Sequence, residues 1–313
     1  MLVLNLIFLK YAGDWFGIST GTAVRISFLF ASLWWGAFAV VTFSLLPTAA
    51  PGNADTPVRN EGEARTGVEA KEDADKSVRV PLLTVGFRDV WGTIKELRRL
   101  RYTMLFLIAY LFYNDGIQTV ILQSSVFISY ELFTSKGLAE DPSFLIIIFG
   151  VAQISAFAGA LIFERIARVL GAKRTIMLAL VVWCGIVIYA YGFFATKTQA
   201  YIMGAAIGMV LGAAQALSRS LYSQMIPRGR EASFFGLYEI SEKGTSWMGQ
   251  LMFTIIVGAT GSFRHAILGL IVFFIVGTIV LLFTDTNRAI HEAGNLTPEE
   301  AGAETGVAEA RTE

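Results

Sequence analysis

The sequence predicts an all-α membrane protein. Seven apolar stretches are each long enough to cross the hydrocarbon core of a bilayer, which is about 30 Å thick. Hydrophobic residues make up 54% of the chain and charged residues only 16%, whereas soluble domains have about 45–50% and about 25%. One stretch carries an aspartate, Asp115, near its middle. Because a charge is costly in hydrocarbon, this residue marks a candidate functional site.

The predicted spans are separated by polar connections. They cover residues 24–46, 102–128, 144–166, 175–195, 201–223, 234–258 and 266–284. The first nine residues are apolar but too few to cross a bilayer, and they lack the basic start and the cleavage site of a signal peptide. We expect them to be the end of a further span.

Basic residues concentrate in the connections on one side of the membrane. These residues are Lys95, Arg98, Arg99, Arg101, Arg165, Arg168, Lys173, Arg174, Arg219, Arg228 and Arg230. Since cytoplasmic loops are enriched in lysine and arginine, we expect a cytoplasmic C-terminus, in a bacterial plasma membrane. Counting the spans backwards puts Met1 inside the bilayer. We therefore expect the chain to be the C-terminal part of a longer protein, with the missing N-terminal helices as its partner in the fold.

Three segments are predicted to lie outside the membrane. Residues 47–80 are rich in small and charged residues, which predicts a disordered cytoplasmic linker between the transmembrane parts 1–46 and 102–284. Residues 81–101 have apolar side chains at helical spacing with basic ones between them. This pattern predicts an amphipathic helix on the inner membrane surface, with a helix packed on cytoplasmic loops as the alternative. Residues 285–313 are acidic and rich in small residues, and we expect a mobile cytoplasmic tail.

The polar run at 113–119, with the sequence YNDGIQT, interrupts an apolar span. Asp115, Asn114, Gln118 and Thr119 are the candidate substrate or proton pathway in a central cavity, because an intramembrane charge needs a partner or water. Gly116 is expected to loosen the helix locally. The alternative is an interhelical hydrogen bond that only holds the bundle together. Gln215, in a later span, is a further candidate for the pathway.

Charged pairs near the span ends are candidates for gating. Glu164 and Arg165 precede the tight loop that carries Lys173 and Arg174 and could clasp helix ends in one conformation; plain positive-inside topology is the alternative. Glu239 and Lys243 are four residues apart on one helical face and can pair. Such a pair could act as a switch, or it could be an ion pair in the headgroup region.

Small residues recur every fourth position in the fifth predicted span, at Gly204, Gly208 and Gly212. This spacing predicts a face on which another helix packs closely.

Other kinds of chemistry have little support in the sequence. The net charge is zero, which gives no reason to expect nucleic-acid binding, and the single cysteine, Cys184, excludes an intrachain disulfide. The sequence has no metal-ligand cluster and no phosphate-binding loop. We therefore expect no enzyme activity, no cofactor and no metal.

Several strings resemble a known transporter family. One span, a long linker with an interfacial helix and then six spans resemble the end of the first half and all of the second half of a major facilitator superfamily transporter. Within that superfamily, the chain resembles the autophagy-related vacuolar effluxers and their bacterial relatives. The strings that carry the resemblance are WW at 34–35 with Phe38, YNDGIQT at 113–119, QALSRS at 215–220, IP at 226–227 and FFGLY at 234–238 with Lys243.

The resemblance implies a fold and a function. The fold is a C-terminal six-helix bundle plus the last one and a half helices of the N-terminal bundle. The function is secondary transport of a small solute by alternating access, with amino-acid efflux as the suggested case. Because one span contains a carboxylate, we expect a proton gradient to drive the transport. The alternative from another class is a non-transporting membrane scaffold or sensor.

Overall fold

The computed structural model describes residues 8, 11–13, 15–45, 82–139, 141–244, 246–297 and 300. It divides into two compact units, residues 1–80 and 81–313, and each is considered by itself. In the first unit, helix α1 spans Thr20–Leu45 and exposes large apolar side chains such as Trp35 and Phe43. An apolar helix of this length suits a lipid environment. The predicted linker at 47–80 and most of the apolar segment at 1–9 lie outside the described residues.

All regular secondary structure in the described part of the second unit is helical. Its helices are α2 Leu82–Leu97, α3 Arg101–Leu132, α4 Pro142–Leu170, α5 Ala172–Gly192, α6 Lys197–Gln224, α7 Glu231–Lys243, α8 Met248–Thr260, α9 Phe263–Gly269, α10 Ile271–Phe283 and α11 Thr286–Glu292, with a short 3-10 helix at Thr134–Lys136.

Six helices of the described chain are long and apolar enough to cross a membrane, which confirms an all-α membrane fold. They are Gly21–Leu45, Arg101–Lys136, Ser143–Leu170, Ala172–Gly192, Lys197–Gln224 and Phe263–Phe283. Of these, Arg101–Lys136 includes the short 3-10 helix, and Phe263–Phe283 joins α9 and α10. They correspond to six of the seven predicted spans. The outward surface of α4 is apolar, with Ile154 and Phe157 largely exposed, as expected for a helix that faces lipid.

The span predicted at 234–258 was wrong in one respect, because it is not a continuous helix. Helix α7 ends at Lys243 and α8 begins at Met248. The gap between these two helices, in which Gly244, Ser246 and Trp247 are described, is called the helix break. Glycine has a low helix propensity, which favours an end at Gly244. The Ser246 hydroxyl donates to the Glu242 carbonyl at 2.9 Å and so satisfies a carbonyl near the end of α7.

Helix α3 lies at the centre of the second unit and contacts α6, α7, α8 and α10. It runs without interruption through Gly116, contrary to the expectation that this glycine loosens it. Gly116 instead permits close packing, since a Cβ there would lie 3.0 Å from the Cβ of Phe273 on α10. Gly277 of α10 likewise permits close packing against Tyr113, because a Cβ on Gly277 would lie 2.8 Å from the tyrosine Cβ.

Helices α4 and α6 pack closely along a seam of glycines, as the spacing in α6 predicts. A Cβ at Gly208 of α6 would collide with the carbonyl oxygen of Ala152, and one at Gly159 of α4 would collide with the carbonyl oxygen of Met209. At Gly204 a Cβ would lie 2.8 Å from the Ile148 side chain. Backbone meets backbone here, so a side chain cannot be added without separating the helices.

We therefore expect Gly208→Ala to destabilise the bundle by about 1–3 kcal/mol, the usual cost of overpacking. The matched control is Gly150→Ala on α4, where the added Cβ meets nothing within 4 Å. Thermal unfolding of both variants in the same detergent measures the difference. Equal midpoints for the two variants would contradict the packing described for this seam.

The second half of α2 packs on the bundle. Thr93 and Leu97 are buried, the helix contacts α7 and α3, and Glu96 pairs with Arg230 at 3.2 Å. Trp91 is 67% exposed. These contacts favour the packed helix over one held by lipid alone, while the exposed indole is compatible with the membrane interface.

The first part of the predicted mobile tail is ordered. Helix α11 follows α10 directly and buries Ala289 and Ile290. The Asn295 amide donates to the carbonyls of Gln224 at 2.9 Å and Ile226 at 2.8 Å. Residues 285–297 therefore depart from the expected mobile tail, because α11 packs on α3 and the Asn295 amide binds carbonyls at and just after the end of α6.

Candidate functional site

The predicted polar run lies in the middle of α3, on the side that meets the helix break. Asp115, Asn114 and Thr119 are buried, and Gln118 is half-buried. The surrounding packing therefore removes the charged member of the run from solvent.

Asp115 binds the first turn of α8. Its Oδ2 accepts a hydrogen bond from the backbone N–H of Gly249 at 2.6 Å. The first N–H groups of a helix have no partner within the helix and carry a partial positive charge, so a carboxylate is favoured there. Gly249 is required by this contact, because a Cβ would lie 3.0 Å from Oδ2 and would collide with the Thr119 hydroxyl.

Asn114 binds the other side of the break. Its Nδ2 donates to the carbonyl oxygen of Glu242, near the end of α7, at 3.4 Å. Two consecutive residues of α3 thus bind the two ends that the break creates. Asn114 Oδ1, Asp115 Oδ1 and Thr119 Oγ1 have no hydrogen-bond partner among the described residues.

A second group, the charged cluster, consists of Arg219, Glu239, Glu242 and Lys243. Arg219 lies 2.8 Å from Glu239 and 3.5 Å from Glu242. Lys243 lies 3.9 Å from Glu239, which is the pair the spacing suggests, and 3.7 Å from Glu242. Two acids and two bases therefore balance within one cluster.

Glu242 is the most enclosed member of the charged cluster. Its side chain is 15% exposed, against 43–74% for the other three. The Tyr110 hydroxyl donates to its Oε2 at 3.0 Å, and Tyr110 stacks on Tyr238 with ring centroids 4.3 Å apart. A phenol and two cations that bind one carboxylate fix its orientation.

A cavity of about 180 Å³ opens beside the charged cluster. Its lining residues are Gln215, Ala216, Arg219, Tyr238 and Glu242. A cation, an anion, an amide and a phenol thus border one small space. Such a lining can bind a polar solute that carries both signs of charge.

The structure therefore separates the residues predicted to form one pathway. Gln215 borders this cavity, whereas Asp115, Asn114 and Thr119 pack against the helix break and do not line it. The two groups are linked through α7, since Glu242 borders the cavity with its side chain and accepts from Asn114 with its carbonyl.

The predicted clasp around the loop at 171 has other contacts. Glu164 pairs with Arg168, one turn along the same helix, at 2.6 Å. Within the described chain no ion pair joins Glu164 to Arg165 or Arg174. Lys173 donates to the carbonyls of Leu282 at 3.0 Å and Thr284 at 2.8 Å, and so ties the start of α5 to the end of α10. A gating role for these residues stays a prediction.

The opposite end of the bundle has a partly buried ion pair that the sequence reasoning missed. Arg264 donates to Glu131 Oε2 through Nη2 at 2.7 Å and through Nε at 2.9 Å. It also donates to the carbonyl of Phe194 at 2.6 Å. Arg264 thereby connects the ends of α3 and α5 with the start of α9.

Comparison with known proteins agrees with this architecture. The sequence model of the family described as "Vacuole effluxer Atg22 like" matches residues 1–294. The MFS-type transporter YxiO of Bacillus subtilis is 27% identical to this chain, over 90% of the chain and 59% of that relative. Autophagy-related protein 22 of Yarrowia lipolytica is 29% identical, over 88% of the chain and 46% of the relative.

A third relative, autophagy-related protein 22 of Kluyveromyces lactis, is 27% identical over 87% of this chain and 54% of its own length. The chain thus spans about half the length of the curated relatives it matches. The family match extends over both described units and includes the polar run of α3, the helix break and the charged cluster. This chain is a multi-pass membrane protein of the Atg22-like vacuole effluxer family, with the all-α architecture of the major-facilitator type.

Proposed function

We propose that this chain forms one half of a secondary transporter that moves a small solute across a membrane by alternating access. The observation that carries the proposal is the charged cluster beside a cavity, next to a helix break in the bundle. Discontinuous helices place free backbone groups and charges where a solute binds, and a substrate site lies between two such bundles. The second bundle would be supplied by N-terminal helices, as the length of the relatives suggests.

The chemistry of the cavity favours an amino acid as the solute. Arg219 offers a guanidinium for a carboxylate, and Glu242 offers a carboxylate for an ammonium group. Gln215 and Tyr238 add neutral hydrogen-bonding groups. The name of the matching family supports export as the direction, and the proposed class is amino-acid efflux.

Ion coupling is assigned to Asp115. It is buried within a span and binds the start of α8, so loss or gain of its charge would change how the two halves of the broken helix are held. Glu164, Arg165, Lys173, Arg174, Glu239 and Lys243 are the proposed gating residues.

Transport into proteoliposomes tests the proposal. A preparation containing this bundle and its partner helices should accumulate a neutral amino acid against its gradient when an ion gradient is applied. Arg219→Gln should strongly lower the rate of uptake, because Arg219 is the only cationic residue among the described residues that line the cavity. Normal uptake by this variant would remove the cavity from the pathway. Absence of solute movement in a folded preparation would favour a scaffold or sensor.

The proposed orientation places the C-terminus in the cytoplasm of a bacterium. Several contacts put the ends of α5, α6, α10 and α11 that carry the basic residues on one side, and the Thr103 hydroxyl bonds to the Met225 carbonyl on that side at 2.9 Å. In a Cys184→Ser background, a cysteine at exposed Ser135 should react with an impermeant reagent on intact cells. One at exposed Ser223 should react only after lysis, and the reverse pattern would invert the orientation.

A further inference from the structure

Three oxygen atoms at the helix break have no hydrogen-bond partner among the described residues. They are Asn114 Oδ1, Asp115 Oδ1 and Thr119 Oγ1, and their residues are 1%, 0% and 0% exposed. A buried polar atom left without a hydrogen bond costs about 1–3 kcal/mol, and more for a charged group. Three such oxygens within six residues of one helix point to a ligand that accepts electron pairs.

The charge of Asp115 is also not balanced by a side chain. Arg219 and Lys243 pair with Glu239 and Glu242, and in the described part of the bundle no lysine or arginine pairs with Asp115. The start of α8 supplies only about half a positive charge. A bound cation would complete the neutralisation that burial demands.

The end of α7 suits a cation as well, because the last carbonyls of a helix carry a partial negative charge. Asp115 and Thr119 lie one turn apart on α3, and both border Gly249. Asn114 is held against the Glu242 carbonyl, near the end of α7 where backbone carbonyls lack helical partners. In discontinuous membrane helices, such half-helix ends coordinate alkali cations.

The donor set selects the class of ion. Carboxylate, amide and hydroxyl oxygens are hard ligands, which excludes the soft metals that prefer sulfur or imidazole. Calcium takes about 6–8 oxygens, usually with several carboxylates, and this set has a single carboxylate. A monovalent cation matches the single negative charge that this set of ligands supplies.

We propose that Asn114, Asp115 and Thr119 bind one sodium ion at the helix break. The inference deepens the proposed transport by naming sodium, rather than a proton, as the coupling ion. Binding at equilibrium is measured without transport, so the two proposals can fail separately.

The test uses the purified full chain in detergent, with radioactive sodium as the probe and choline as the inert replacement. Saturable binding is expected, and the midpoint of thermal unfolding should rise with sodium at constant ionic strength, since a ligand of the native state stabilises it. Asp115→Asn and Thr119→Val should each lower the sodium affinity about tenfold or more, the effect of losing about 1.4 kcal/mol of binding energy.

The matched control is Ser129→Ala. Ser129 lies on the same helix and its buried hydroxyl also lacks a partner among the described residues, but it is remote from the break. This variant should bind sodium like the parent. Unfolding midpoints measured in choline verify that each variant is folded. If a site variant does not fold, Thr119→Ala is measured in its place. Absence of saturable sodium binding, or unchanged affinity in both site variants, would overturn the proposal.

Discussion

Replacing Asp115 by asparagine is expected to abolish uphill accumulation of solute while leaving the chain folded and inserted. The amide oxygen of asparagine can still accept the hydrogen bond from Gly249 N, so the start of α8 keeps its contact. The variant loses the charge that attracts a coupling cation. Insertion should become easier, because an aspartate at the centre of a span costs about 2.5–3.5 kcal/mol on insertion scales.

Accumulation in proteoliposomes, with and without an ion gradient, separates coupling from binding. Solute exchange at equal concentrations on both sides should persist in Asp115→Asn, since the cavity beside Arg219 is unchanged. Ser129→Ala serves as the control for a polar substitution on the same helix. Gradient-driven accumulation at the parental level in Asp115→Asn would reduce this carboxylate to a packing role.

The spans were predictable because hydropathy and length suffice for a helix in lipid. The break between α7 and α8 was not, because an average over twenty residues hides a local interruption. The sequence does hold a signal for it: Gly244, Thr245 and Ser246 follow one another in the middle of the predicted span. Glycine and hydroxyl residues favour helix ends over helix interiors. Reading that triplet as a stop would have placed the break correctly.

The sequence identifies Asp115 as a candidate because a charge within the membrane is costly. It does not reveal which group Asp115 contacts. Its partner is a backbone N–H group, which nearly every residue possesses, so no side-chain pattern points to Gly249. The same reason applies to Lys173 of the predicted clasp, which binds the carbonyls at the end of α10. Contacts between side chains and helix ends depend on tertiary packing that a single sequence does not reveal.

Glu242 was not chosen as a candidate, although it lies between two residues that were chosen, Glu239 and Lys243. Spacing along α7 predicts the pair four residues apart. The importance of Glu242 comes from Tyr110 and Arg219, which lie on other helices more than twenty residues away in sequence. The enclosed position of its carboxylate became evident only from the packing of α3, α6 and α7.

Replacing Glu242 by glutamine is expected to lower the transport rate about tenfold or more, which corresponds to about 1.4 kcal/mol. The neutral amide keeps the shape and can still accept from Tyr110. It removes one of the two anions that balance Arg219 and Lys243, and it leaves the cavity with an uncompensated cation. A solute with an ammonium group then loses its counter-charge. The surface pair of Glu96 with Arg230 supplies the control, and Glu96→Gln should transport normally.

A double-mutant cycle with Arg219→Gln makes this prediction specific. If Glu242 and Arg219 act on the same solute and on each other, the losses in the two single variants should not add in the double variant. The net charge of the cluster is restored when both are neutral, so the double variant should fold at least as well as either single one. Initial rates of uptake for the parent, both single variants and the double variant give the coupling free energy. Strictly additive losses would mean that the two groups act independently, and a parental rate in Glu242→Gln would exclude this carboxylate from the solute path.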